Sequence, residues 1–250
     1  MKATATVILL AICQIGVAQE LANAASVVPP NDETTSPFQT GLLALKAENF
    51  PEAIEALSRE TALHPLNAKA WYYKGVARME NGDDAAALID LDRAIELAPR
   101  DGNALIRRAS IHENAHDFEL AKNDLDNVLR SNQAGPIAIH ALLELGRLQL
   151  SMDDATSAIS TYDRLLMIAP NDARAWYDRG MAFARTNDHQ RALEDLSKAI
   201  SLDGWMDRAY TAHAIELVHL GRKTEACPDL AKARELGDES VDELISIYCE

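Results

Sequence analysis

Residues 111–116 read IHENAH, and within them His112, Glu113 and His116 fit the H-E-x-x-H spacing. On one uninterrupted helix, residues i and i+4 share a face, so two imidazoles there can hold zinc while the glutamate between them serves as general base. That chemistry would make the chain a zinc-dependent hydrolase. It also requires a third ligand, an open coordination position and a helix that runs through His116. The sequence has no H-E-x-x-H-x-x-G-x-x-H extension, and no distant Glu or His singles itself out. G-x-S-x-G, Walker A and G-x-G-x-x-G motifs are likewise absent, and His64, His140, His189 and His219 are scattered along expected surfaces and turns. No catalytic residue, metal ligand or cofactor is therefore assigned.

The bulk properties narrow the field further. The 250 residues are 48% apolar and 25% charged, the balance of a soluble globular chain of one or two domains. A formal charge of -15 and a pI near 4.8 argue against nucleic acid as a partner, because phosphate binding rests on clustered lysine and arginine. Lys2, the apolar run Ala5–Ala18 and the small residues Ala22 and Ala24 have the form of a secretory leader over residues 1–24, cut after Ala24 or, as an alternative, after Ala18. The run is too short for a comfortable transmembrane helix, so no stable span is expected in the mature chain. Ile12 stands before Cys13 where a lipobox would have Gly or Ala, which disfavours a lipid anchor. Residues 25–36, rich in Pro, Thr and acid, read as a flexible linker.

Beyond the linker the chain repeats itself. The segments EAIEAL, AALIDL, LAKNDL, SAISTY, RALEDL and EACPDL place Ala53, Ala87, Ala121, Ala158, Ala192 and Ala226 at spacings of 34, 34, 37, 34 and 34. Twelve residues before each alanine stands a small residue, Gly41, Gly75, Ala109, Gly146, Gly180 or Ala214. Four residues after it stands a large one, Leu57, Leu91, Leu125, Tyr162, Leu196 or Leu230. Small residues where two helices cross let the backbones approach, and the bulky ones fill the space alongside. The three additional residues near SNQAGPIAIH fall between the third and fourth copies, where a connecting loop can absorb them.

This 34-residue pattern, with Pro65, Pro99 and Pro170 closing three copies, resembles the tetratricopeptide repeat (TPR) family, in the form seen in exported bacterial chains. The clearest copies are AWYYKGVARMENGDDAAALIDLDRAIELAP and AWYDRGMAFARTNDHQRALEDLSKAISLD. The resemblance implies an all-α, right-handed α-solenoid of six helix-turn-helix repeats, at about 37–66, 67–101, 102–137, 138–172, 173–206 and 207–238, plus a capping helix over 239–250. The first copy is the weakest, since Pro37 takes its Trp position.

Two further patterns belong to this register. Lys74, Arg108, Arg179 and His213 each precede an aspartate by sixteen residues, Asp90, Asp124, Asp195 and Asp229, and the two copies without the base also lack the acid. An ion pair between the two helices of one repeat is expected. At the other end, Cys227 and Cys249 lie eleven residues to either side of Asp238, and an antiparallel pair of helices would set them opposite one another. A disulfide is expected there, the more so because exported TPR-like chains often end in similar Cys…LGD…YC patterns. Pro228 sits awkwardly beside Cys227 unless it falls in a first turn.

The register also answers the question raised by IHENAH. His112 takes an inward-facing place filled by Phe183 and Leu217 in later copies, while His116 falls in the turn where Gly82 or Asn187 stand. His112 is then a core histidine, and the zinc hydrolase remains only as the alternative. In the TPR family the concave side, lined by first helices, holds a peptide or partner protein. Projected onto this chain, that groove comprises Phe38, Tyr72, Val76, Met79, Ile106, Leu143, Arg147, Arg174, Tyr177, Met181, Arg185 and Arg208. Aromatic and methionine side chains among arginines suit an apolar peptide that carries carboxylates. The expected function is thus a non-enzymatic scaffold or adaptor, periplasmic or secreted, with a homo-oligomer through the groove as a variant. Phe38, Leu42, Tyr72, Val76 and Ser110 fill the slots of the family's carboxylate clamp, so that clamp is not expected.

Overall fold

A computed structural model describes residues 35–249. The expected leader and nearly all of the expected linker lie outside these residues. Among the described residues there are thirteen α-helices and one 3-10 turn, and no strand. The helices pair as α1 (Pro37–Lys46) with α2 (Phe50–Leu63), α3 (Ala68–Glu80) with α4 (Asp84–Leu97), α5 (Gly102–Asn114) with α6 (Phe118–Ser131), α7 (Pro136–Ser151) with α8 (Ala155–Ile168), α9 (Ala173–Arg185) with α10 (His189–Leu202), and α11 (Asp207–His219) with α12 (Lys223–Glu235). A 3-10 turn (Glu239–Val241) and α13 (Asp242–Tyr248) follow. None of these helices is long and apolar enough to cross a membrane.

Local chemistry sets where the helices start and stop. Asn49, Asn67, Asp83, Asp154, Asp172 and Asp188 cap helices by accepting the free backbone N–H three residues on. Each hairpin turn passes through one left-handed residue, Glu48, Gly82, His116, Asp153, Asn187 or Gly221, with φ between 56° and 84°. These positions carry the same 34, 34, 37, 34, 34 spacing as the alanines. The backbone geometry therefore repeats even where glycine has been replaced.

The helix crossings follow the expected chemistry. A Cβ added to Gly41 would come within 2.5 Å of Leu57, at Gly75 within 2.9 Å of Leu91, at Gly146 within 2.5 Å of Tyr162 and at Gly180 within 3.0 Å of Leu196. Ala53, Ala87, Ala158, Ala192 and Ala226 are fully buried beside these crossings. In one respect the expectation fails. The loop at 132–135 is four residues long like its counterparts, and the three additional residues instead lengthen α7 to 16 residues against 13 in α3, α5, α9 and α11. Pro136 suits the first position of a helix, Gly135 supplies φ 88° before it, and Ala138 is fully buried, so a longer helix satisfies more of the chain than a longer loop.

The helices divide into two compact units, one ending at Ile111 and one beginning at His112. In the first, α1–α4 surround a core of Leu57, Tyr72, Tyr73, Val76, Leu91 and Ile111. In the second, α7 to α12 pack in chain order, and α9 also touches α7 and α11 directly. Expected ion pairs form, among them Lys74 to Asp90 at 2.9 Å, Arg179 to Asp195 at 2.7 Å and His213 to Asp229 at 2.7 Å. The bases also reach back sixteen residues, Arg108 to Asp92 at 2.6 Å, Arg179 to Asp163 at 2.6 Å and His213 to Ser197 at 2.8 Å. One cation thus ties its own hairpin and the preceding one. The fourth repeat, which lacks the pair, joins Thr161 to Gln149 at 2.7 Å instead.

At the end of the chain the Cys227–Cys249 disulfide is present, with Cα atoms 5.6 Å apart. The cap is shorter than expected, since the 3-10 turn precedes a helix of only seven residues. Val241 is fully buried, and Leu244 and Ile245 pack on the cluster around Leu217 and Leu230. Pro228 lies inside α12, beyond its first turn, on the exposed side.

Candidate partner-binding face

In the second unit, α7, α9 and α11 present one continuous face. Arg174, Tyr177, Met181 and Arg185 recur at helical spacing along α9, so they share one side of it. Leu143 and Arg147 hold the matching places on α7, and Arg208 on α11. Arg185 and Arg208 are exposed; the other five are partly accessible.

The polar side chains of this face form an uneven network. Arg147 donates to both carboxylate oxygens of Glu144, at 3.1 and 2.9 Å, and His140 stands 3.7 Å from the same carboxylate. Arg185 donates to the backbone carbonyl of Leu150 at 2.6 Å, tying α9 to α7. Arg174 is held more loosely, its Nε 3.6 Å from Asp178 Oδ2. That oxygen is buried and accepts no hydrogen bond among the described residues. Burial pushes the Asp178 carboxyl up to about 6, against the pull of Arg174 and Arg147 and with the push of Glu144 and Asp172. Arg208 forms no ion pair among the described residues and acts on Asp238 and Tyr177 at longer range.

Tyr162 comes to this face from behind. It takes the place held by leucine in the other five repeats, and its ring lies against Gly146. Its hydroxyl is buried without a hydrogen bond, in the field of Asp178, Arg147, Arg174 and Glu144, and burial pushes the phenol far above its ordinary range, so it stays protonated. Glu113, from the IHENAH segment, joins the same network: burial raises its carboxyl, Arg147 and Ser151 oppose that, and Glu144 adds to it.

The twelve residues expected to line a groove do not behave alike. Tyr72 and Val76 belong to the first unit's core, 4% and 1% exposed, and Ile106 is 4% exposed. Phe38 and Met79 pack against that same core. Tyr72, Val76 and Ile106 are therefore corrected to interior, while Phe38 and Met79 pack against that core and stay partly accessible: Tyr72 meets Tyr73 edge-on at 4.9 Å, and Phe38 lies 6.0 Å from Tyr73, so the aromatic rings fill one another's space. Sequence reading missed Glu144 and Asp178, and it named Tyr162 only as a crossing residue and Glu113 only within the H-E-x-x-H spacing. The signal available was Tyr162 among five leucines, and Glu144 and Asp178 at the same register position 34 residues apart.

The zinc reading meets a direct obstacle. α5 ends at Asn114, and His116 is in the turn with φ 64°, so the two imidazoles do not share a helix. Among the described residues no three His, Cys, Asp or Glu side chains are grouped to hold a metal ion. His112 is partly exposed rather than fully buried, which corrects its assignment as a core histidine.

Helical hairpins repeating at 34 residues, crossing at Gly or Ala and ending in a short cap, define a tetratricopeptide repeat protein. The family's profiles match residues 38–102, 106–173 and 145–218, and the chain belongs to this family. It is similar to the peroxisomal targeting signal receptor of Kluyveromyces lactis, 26% identical over 198 residues, covering 78% of this chain but 34% of that protein. Among solved structures it is similar to a tetratricopeptide repeat protein from Parabacteroides merdae, with a TM-score of 0.69, 19% identity and coverage of 81% and 79% of the two chains. It is also similar to YrrB, described as a TPR protein with an unusual peptide-binding site, with a TM-score of 0.62, 17% identity and coverage of 79% and 98%. These structural likenesses speak for the fold alone.

Proposed function

We propose that this chain is a non-enzymatic protein-interaction scaffold that receives a peptide or partner segment on the face of α7, α9 and α11. The observation that carries the reading is Tyr177 and Met181 left partly accessible between Arg174, Arg185 and Arg208, an aromatic and a thioether anchor ringed by donors. The likeness to the receptor, a protein named for a targeting signal, supports it. Export to the periplasm or beyond belongs to the same proposal, supported by the form of residues 1–24 and by a disulfide that would persist in an oxidising compartment.

A photocrosslinking amino acid at Met181, with Lys198 on the exposed side of α10 as control, tests the face. Adducts from position 181 and none from 198 are expected; equal labelling, or none at 181, would overturn it. A self-adduct would show that the partner is a second copy. The N-terminal mass of the native protein tests export, with a chain beginning at Met1 as the contrary result.

A further inference from the structure

The chain carries 39 acidic and 24 basic residues, so most arginines should find a carboxylate close by. Several do: Arg93 meets Glu96 at 2.8 Å, Arg179 meets Asp195 at 2.7 Å and Arg222 meets Glu225 at 2.7 Å, whereas Arg100 and Arg164 form no ion pair among the described residues. On the α9–α11 part of the face Arg174, Arg185 and Arg208 make no short hydrogen bond to a carboxylate. Arg185 spends its donor on a carbonyl, Arg208 forms no ion pair among the described residues, and Arg174 stands at 3.6 Å from an oxygen that accepts no hydrogen bond. Guanidinium donors on this face thus lack short hydrogen bonds to carboxylates, although Asp178 and Asp238 lie in their field, and they flank the accessible Tyr177 and Met181. A guanidinium with spare donors is a bidentate receptor for a carboxylate.

We propose that the partner segment is acidic and carries apolar side chains, and that Asp178 competes with the partner's carboxylate for Arg174, setting how tightly the segment is held. This rests on the preceding reading and adds the partner's chemistry and its control. Asp178 is well placed for competition and poorly placed for a permanent bond. Its Oδ2 lies 3.6 Å from Arg174 without the short hydrogen bonds that Arg147 makes to Glu144. An ionised Asp178 cancels part of the positive field that an incoming carboxylate would meet; a neutral one does not. The groups around it are Asp172, Arg174 and Tyr177 on α9, Glu144 and Arg147 on α7, and Tyr162 on α8, while Asp207 and Arg208 on α11 act on Tyr177. Because burial pushes Asp178 up to about 6, acidification from pH 7.5 to 5.5 removes most of its charge while leaving most glutamates of a peptide ionised.

Fluorescence polarisation of the full chain tests this with two labelled decapeptides, one alternating glutamate with leucine and one alternating lysine with leucine. The glutamate probe should bind more tightly, and its affinity should rise between pH 7.5 and 5.5. Arg174→Gln combined with Arg208→Gln should weaken it about tenfold. Asp178→Asn should tighten it about fivefold at pH 7.5 and abolish the gain on acidification. His140 stands 3.7 Å from Glu144 on the same face, so His140→Gln, which removes that imidazole, must keep the gain. A lysine probe that binds as well as the glutamate probe would overturn the proposal. So would a folded Asp178→Asn variant with unchanged or weaker affinity. Should that variant fail to fold, a flat pH series for His140→Gln is the overturning result. Crosslinking from Met181 alongside charge-blind probe binding would defeat this inference and leave the interaction reading standing. Failure of both would defeat the two together.

Discussion

Tyr72 and Tyr177, Val76 and Met181, and Glu80 and Arg185 are each separated by 105 residues and hold equivalent places in their repeats. In the first unit these places are closed: Tyr72 and Val76 are core, and Glu80 is half-buried, its carboxyl pushed up by burial against the pull of Arg107. In the second unit Tyr177 and Met181 stay partly accessible and Arg185 is exposed. The backbone register is common to both, so it does not decide which repeats offer a surface. Neighbouring side chains do. Tyr73 and Phe38 fill the space beside Tyr72, whereas Tyr177 is followed by Asp178, a carboxyl with Arg174 and Arg147 in its field where the first unit has the Tyr73 ring.

The sharpest way to break that comparison is through the ion pairs behind each face. Lys74 and Asp90 are 8% and 1% exposed, with Arg78 also 2.8 Å from Asp90. Asp90→Ala would leave Lys74 buried without its counter-charge and should cost about 3–5 kcal/mol, measured by urea unfolding. Asp195→Ala should cost less, about 1–3 kcal/mol, because Arg179 is more exposed and keeps Asp163. Equal losses would mean that the first unit's interior is no more desolvated than the second's.

A smaller effect separates the two ends of the described chain. α1 begins with a single cap, Ser36 accepting from the Gln39 N–H at 3.3 Å, while α13 is held by a covalent bond closing 22 residues. Replacing Cys227 and Cys249 with serine should lower stability by about 3 kcal/mol on the loop-entropy scale. Hydrogen exchange should place the loss in α12 and α13. Exchange rising evenly throughout the second unit would show that the disulfide staples more than the cap.

Most of the fold could be read from the sequence because packing at each crossing demands a small residue opposite a large one, and those constraints recur at a fixed interval. Gly41 with Leu57 and Gly180 with Leu196 are direct expressions of it. What the interval does not encode is where an insertion goes. Three residues beginning with Pro136 could have been loop or helix, and the burial available to Ala138 decided for helix. The face was legible only in part for a similar reason. Arg174 and Tyr177 are found by register, but whether Tyr72 is surface or interior depends on the rings of Tyr73 and Phe38. Asp178 was invisible because its importance lies in what surrounds it, not in its type.

The next test concerns that aspartate. Its carboxyl is raised from the ordinary 3.8 to about 6, so the folded state binds a proton more readily than the unfolded chain between those values. Stability contributed by this site therefore increases as pH falls from 7 towards 4, opposite to an ordinary paired carboxylate. Asp178→Asn should stabilise the protein by about 1–3 kcal/mol at pH 7.5, and the difference should vanish near pH 4. Glu225, held low by the hydrogen bond from Arg222, gives a contrasting control whose contribution is lost on acidification. If Asp178→Asn is destabilising at pH 7.5, the carboxylate is better paired than its orphaned oxygen implies.

The smallest effect belongs to the hydroxyl of Tyr162. In the other five repeats a leucine fills this slot with no polar atom, and here the ring reaches past Gly146 to bury an oxygen without a partner among the described residues. Removing that oxygen while keeping the ring relieves the desolvation of an unpaired group, so Tyr162→Phe should leave stability unchanged or raise it by up to about 1 kcal/mol. The substitution also withdraws a dipole from beside Asp178, which makes it a probe of the face as well as of the crossing. If Tyr162→Phe instead lowers stability by more than about 1 kcal/mol, the hydroxyl is bonded in solution. Asp178 is then the first acceptor to examine, and the contrast between a closed first unit and a second unit with unspent polar groups would have to be redrawn around that bond.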